Sequence, residues 1–143
     1  MQTFLPYQSF TRSLKCLDDR RLGKQRVEAM QILDALQPYS TSRWKNHPAV
    51  KMWRGYERAL RCYHDTAIQQ WINRGFNNNM RMLSVSSDWP ISDNIGKPSW
   101  LTPEFCSAHR CNLLRKDFQH YSQFNWPEME LDFNNVSYIW PVN

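Results

Sequence analysis

The stretch from Asp18 to Glu28, DDRRLGKQRVE, carries the densest charge in the chain. On a helix, Arg21, Lys24, Gln25 and Glu28 fall at steps of three, one and three and share one face. That face surrounds a single carboxylate with cations. Such a carboxylate can stabilise positive charge on a reacting carbon and move protons, while the cations hold phosphates. The plainer reading is a solvated face with a Lys24–Glu28 ion pair of about 0.3–0.5 kcal/mol. Gly23 tilts the balance toward function. Glycine inside a helix costs roughly 0.5–1 kcal/mol and is found where another group must come close.

A second basic group, His109, Arg110, Arg115 and Lys116, lies near residue 112 on what reads as a later helix. Two basic helices could straddle a duplex, and Arg43, Lys45, Lys51 and Arg54 could extend the surface. The histidines are scattered, and His47, beside Pro48, reads as a helix cap. Cys16, Cys62, Cys106 and Cys111 form no CxxC pair and no zinc-finger spacing, so reduced, partly buried thiols and no structural metal are expected.

Three main helices would have to position these residues. The first runs from about Asp18 to Leu36, with Leu22, Ala29, Met30, Leu33 and Leu36 as its core stripe. Ser13 or Asp18-Asp19 supplies its start, and Pro38 marks its end. The second starts at Asn46-His47-Pro48 and runs to Arg74, with Gly75 as its cap. Ala49, Trp53, Tyr56, Leu60, Tyr63, Ala67 and Trp71 form its apolar face, and Trp53 and Trp71 read as core. Residues 77–100 read as loop, with a short helical turn near Met80–Leu83. The third helix starts at Thr102-Pro103-Glu104 and continues toward Asp117. The tail from Phe118 is aromatic without a helical period and reads as an irregular arm. The expectation is an all-α fold, a compact single domain over residues 1–143.

Composition bounds the partners. A formal charge of +5 and a pI near 9.2 favour a polyanion. No apolar run is long enough to cross a bilayer, and MQTFLPYQSF lacks the pattern of a secretory signal, so a monomer inside the cell, away from membranes, is expected.

The run Leu17-Asp18-Asp19-Arg20-Arg21-Leu22 through Arg26-Val27-Glu28-Ala29 resembles the first catalytic helix of the phage-type pyrimidine-dimer DNA glycosylase/AP lyases, the endonuclease V family. There a Leu-x-Asp-x-His-Leu run precedes an essential Glu by six residues. Asp19 and Leu22 match, Glu28 falls on the catalytic carboxylate, and Arg21 stands where the family has His. Arg74-Gly75-Phe76-Asn77 is similar to the family's Arg-Gly-Phe-Asn turn. The MQTFLP opening, Leu-Gly-Lys-Gln-Arg-Val-Glu and His-Arg-x-Asn-Leu-Leu-Arg-Lys resemble a cellular and viral branch.

The resemblance implies base excision from damaged or modified duplex DNA without a cofactor. An N-terminal α-amine attacks the sugar, an imine forms, and β-elimination nicks the strand. An α-amine gives up its proton far more readily than lysine does, which suits it to attack near neutrality. The family's nucleophile is a small residue exposed by loss of Met. This chain begins Met1-Gln2, which leaves open the Met1 α-amine, a shortened start, Lys24, or water in a monofunctional glycosylase. Glu28 would assist. Arg20, Arg21, Gln25, Arg26, His109, Arg110, Arg115 and Lys116 would contact DNA, and Trp140 would stack on a base. A family habit of extruding the base opposite the lesion implies a pocket for one nucleotide. Two rivals remain: a non-catalytic DNA-binding module, and an enzyme acting on RNA or free nucleosides.

Overall fold

The computed structural model describes residues 1–83 and 97–141. In chain order its helices are α1 (Phe10–Cys16), α2 (Asp19–Ala35), α3 (Pro48–Lys51), α4 (Glu57–Asn73), α5 (Pro103–Lys116) and α6 (Phe118–Tyr121), followed by three short 3₁₀ turns. No strand occurs among the described residues, and the class is all-α. No described helix is long and apolar enough to cross a membrane.

Local chemistry explains the two best-marked starts. Asp18 caps α2 by accepting the Arg21 backbone N–H, and Thr102 caps α5 by accepting that of Phe105, ahead of Pro103. Helix α1 is an element the sequence reading missed. Ser9 caps it, and Ser13, expected at a helix start, lies buried inside it with Oγ bonded to Tyr7 N and O. Residues 80–83 form no helix. Trp89-Pro90, read as loop, lies outside the described residues.

The single long helix expected from Pro48 to Arg74 is instead two. Residues 52–55 form a turn in which Gly55 has φ +89°, and α4 starts after it. Trp53, Arg54 and Tyr56 each donate a backbone N–H three residues back. The turn is thus wound almost as a helix, which is why the apolar period ran through it unbroken.

Helix α2 packs most extensively on α4, and α1 lies against α4. Leu14, Leu22, Ile32, Trp53, Leu60, Tyr63, Phe105 and Leu113 are fully buried in one core. Gly23 lets the helices meet: a Cβ there would stand 3.0 Å from the Trp71 ring. The close group is therefore a neighbouring indole. Trp71 stacks on Phe76 at 4.2 Å, and the Arg26 guanidinium covers its ring at 4.5 Å.

No atom lies within 4 Å of a Cβ built on Gly55, so Gly55→Ala introduces backbone strain alone. A left-handed alanine costs about 1 kcal/mol, and Tm should fall by about 2–4 °C in thermal melts. An unchanged Tm would mean the turn relaxes to negative φ.

Candidate active site

The site begins with the N-terminal arm, because residues 2–6 are buried before any helix starts. Buried polar groups need partners, and side chains from distant elements supply them. Gln25 of α2 accepts the Phe4 N–H through Oε1 (2.9 Å) and donates Nε2–H to the Gln2 carbonyl (3.2 Å). The Tyr63 hydroxyl of α4 shares its proton between the Phe4 carbonyl (2.8 Å) and Gln25 Oε1 (2.5 Å). The Trp53 indole N–H donates to Thr3 Oγ1 (3.0 Å), and His109 of α5 accepts the Leu5 N–H at Nδ1 (3.0 Å). One helical step beyond Gln25, Glu28 Oε2 accepts the Gln2 N–H at 2.9 Å. The carboxylate therefore touches the residue next to the α-amine.

Met1 emerges at a pocket of about 390 Å³. Met1, Gln2 and Phe4 line one part of it beside Glu28. Arg20, Arg21 and Lys24 from α2 and Lys116 from α5 supply cations, while His47, Tyr138 and Trp140 supply rings. Cations, aromatic rings and a single carboxylate thus line one pocket. Burial, then the charges of Arg21, Arg115 and Lys24, pull the Lys116 ammonium below its ordinary range. Crowded cations of this kind are relieved by an anion. The Lys24–Glu28 ion pair allowed by the spacing is not made among the described residues. Arg21 pairs instead with Asp18 at 3.2 Å, a carboxylate that also accepts the Tyr121 hydroxyl.

Of the residues singled out from sequence, Met1, Arg20, Arg21, Lys24, Glu28, Lys116 and Trp140 meet in this pocket. The others do not. Gln25 is 1% exposed and holds the arm, so it has no free face for DNA. Arg26 donates to Asn78 Oδ1 (2.8 Å) and covers Trp71, on the side of α2 away from Glu28. Arg110 donates to both Glu128 oxygens (2.7 and 2.8 Å) and to the Pro6 carbonyl (2.8 Å), a largely buried structural pair. Arg115 donates to the Asn134 and Val136 carbonyls, which ties down the C-terminal arm. His109 is also 1% exposed, and burial lowers its pKa to about 3, so it is neutral and cannot be a phosphate cation.

Sequence reasoning missed His47 and Tyr138 as pocket residues. His47 does cap α3, accepting the Ala49 N–H at Nδ1 (3.0 Å), but its ring also faces the pocket. No local signal could bring Tyr138 to Glu28, 110 positions away in sequence. A larger cavity of about 680 Å³ lies between Lys15, Asp19, Arg74 and His120. Arg74 is already engaged there by Asp19 (2.8 Å) and the Lys15 carbonyl, and none of the expected catalytic residues reaches it. All four cysteines are free and buried, and burial raises Cys16 to about 12 and Cys106 to about 11, so neither is a ready nucleophile.

An all-helical domain with an amine, a carboxylate and a cationic wall in one pocket fits an enzyme that works on a polyanion. The family model described as pyrimidine dimer DNA glycosylase matches residues 1–84, and the chain belongs to that family. It is accordingly a DNA glycosylase, with DNA as its substrate. The matched span holds the arm, Lys24, Glu28 and His47; Lys116, Tyr138 and Trp140 lie beyond it. No curated protein and no solved structure matches the chain.

His109 makes stability depend on pH. Its folded pKa of about 3 lies below the unfolded value of about 6.5, so only the unfolded chain gains a proton as pH falls through 6.5. Stability is therefore kept above pH 6.5 and drops by about 2 kcal/mol at pH 5. Asn at 109 keeps an acceptor for Leu5 but does not titrate there. His109→Asn should shrink the Tm difference between pH 7 and pH 5 by several degrees; an equal difference in both proteins would refute this.

Proposed function

We propose that this chain excises a pyrimidine dimer or other modified pyrimidine from duplex DNA, as a monomer, and then nicks the strand through an imine. We also propose that it stands in the branch with an MQTFLP-like opening. The observation that carries this reading is the 2.9 Å hydrogen bond from the Gln2 N–H to Glu28 Oε2, which sets the Met1 α-amine beside a carboxylate in a cationic pocket.

The chemistry runs as follows. The unprotonated α-amine adds to the sugar C1′ as the glycosidic bond breaks, and the base leaves with the bonding electrons and takes a proton. Loss of a proton from nitrogen and opening of the C1′–O4′ bond, with O4′ protonated, gives the imine. Removal of a C2′ proton then expels the 3′ phosphate. Glu28 stabilises positive charge at C1′ and carries the protons. Arg20, Lys24 and Lys116 have no ion pair among the described residues, which leaves them available to phosphates; Arg21, held by Asp18, adds its charge. Trp140 offers a face on which a base can stack. Lys24 is the second candidate amine, since it lines the same pocket one turn before Glu28.

Borohydride trapping on duplexes carrying a pyrimidine dimer or an abasic site is the test, with peptide mapping of the adduct. An adduct on the N-terminal peptide, formed about a hundredfold more slowly by Glu28→Gln, is the expected result. An adduct on Lys24 would move the nucleophile. Base release without any adduct would make the enzyme monofunctional and sink the imine.

The cationic wall is tested separately. Lys116→Ala should weaken binding to all duplexes alike and reduce the slope of log K against log salt by about 1. An unchanged slope would remove Lys116 from the phosphate contacts.

A further inference from the structure

His47 is held more firmly than a helix cap requires. Its Nδ1 accepts the Ala49 N–H at 3.0 Å, and the two residues after Pro48, Ala49 and Val50, are fully buried, so its backbone is anchored in the core. Two indoles stand edge-on to its ring, Trp44 at 5.7 Å and Trp140 at 5.9 Å. These contacts leave the ring little freedom to turn.

The cap also decides the tautomer. A neutral imidazole whose Nδ1 accepts carries its hydrogen on Nε2, where it can only donate. That nitrogen has no protein partner among the described residues, although the ring lines the pocket with Met1 and Glu28. Burial and the nearby α-amine lower the ring's pKa, against the opposing pull of Glu28. Protonation would also have to displace the Ala49 N–H from Nδ1. The pocket therefore holds a fixed, neutral donor beside the amine and the carboxylate, on an element separate from α2.

We infer that His47 is a further substrate-contacting residue, whose Nε2–H donates to the deoxyribose ring oxygen O4′ of the nucleotide held at the α-amine. The inference rests on the proposed function, which sets C1′ against that amine; O4′ is the sugar oxygen bonded to C1′. A neutral donor there adds no further cation beside an amine that must itself lose a proton. It transfers no proton. It stabilises the negative charge that gathers on O4′ as the C1′–O4′ bond opens.

Two substitutions separate the donor from the cap. Asn places its amide near the Nδ1 position and keeps the cap, without an atom at Nε2. Gln reaches the Nε2 position and loses the cap. Each variant is compared with the unaltered protein in thermal melts, in binding to a duplex with a tetrahydrofuran abasic analogue, and in borohydride trapping on an abasic duplex. The analogue keeps the ring oxygen but forms no imine.

His47→Asn should melt within about 2 °C of the unaltered protein, yet bind the analogue about fivefold to tenfold more weakly and trap more slowly. His47→Gln should melt lower and, where folded, bind within about twofold of the unaltered protein. Undiminished binding and trapping by His47→Asn would overturn the inference and leave His47 a cap. A tenfold loss of binding in folded His47→Gln would overturn it too, and this arm decides the matter if His47→Asn does not fold. If the unaltered protein shows no preference for the analogue over intact duplex, the pocket reading falls and the inference with it. A preference that His47→Asn shares in full leaves that reading standing and sinks only the role of His47.

Discussion

The hydrogen bond between the Gln2 N–H and Glu28 is the interaction on which the rest of this site depends. Alone it would be worth about 1.5–3 kcal/mol, less than ordering the several residues of a chain terminus costs. It is the last of a series. Gln25, Tyr63, Trp53 and His109, from α2, α4, the turn before α4 and α5, each bind a neighbouring residue of the same arm. A buried backbone group left unpaired costs about 1–3 kcal/mol, so a shift of the arm would break several contacts together. The helices thus hold residues 2–5 of the arm, and with them the point at which Met1 emerges. The carboxylate proposed for the chemistry thus also takes part in that hold.

Two groups of basic residues differ in what they meet. Arg26, Arg74 and Arg110 are engaged by Asn78, Asp19 and Glu128, while Arg12 covers the Tyr7 ring at 4.0 Å. They close the domain. Arg20, Lys24 and Lys116 keep their charges toward the pocket, with Arg21 tethered beside them. Net charge counts both groups alike, although the first is engaged within the fold and the second lines the pocket. Burial, and then the repulsion of Arg21, Arg115 and Lys24, disfavours the charged form of Lys116, an unfavourable term that a bound phosphate reverses.

Arg115 shows how a contact away from the pocket shapes it. With Asn112, its guanidinium fixes the carbonyl of Val136, two residues before Tyr138. The aromatic arm then continues past His109 and Phe4 to Trp140, which meets His47 edge-on. Polar contacts at the arm's base therefore decide that its rings form a wall of the pocket, which gives an otherwise irregular segment one definite course.

Much of this was legible in the chain itself. Asp18 as a cap, Pro38 beyond the end of α2, Thr102-Pro103 at the start of α5 and the cationic face around Glu28 are local patterns, set by helical period and by which residues satisfy free N–H groups. What stands opposite a helix face is not local. Period alone put Gln25 with Lys24 and Glu28, although the arm covers Gln25 and leaves the other two open. It made His109 and Arg110 look like a basic patch, when one is a neutral acceptor for Leu5 and the other the partner of Glu128. It missed the break at Gly55, because the tight turn there keeps nearly helical winding. The sequence by itself determined the helical class, the family and the carboxylate-bearing face. The tertiary structure decided which cations remain free, where the amine lies and which rings face it, because burial and pairing depend on segments that meet only when the chain is folded.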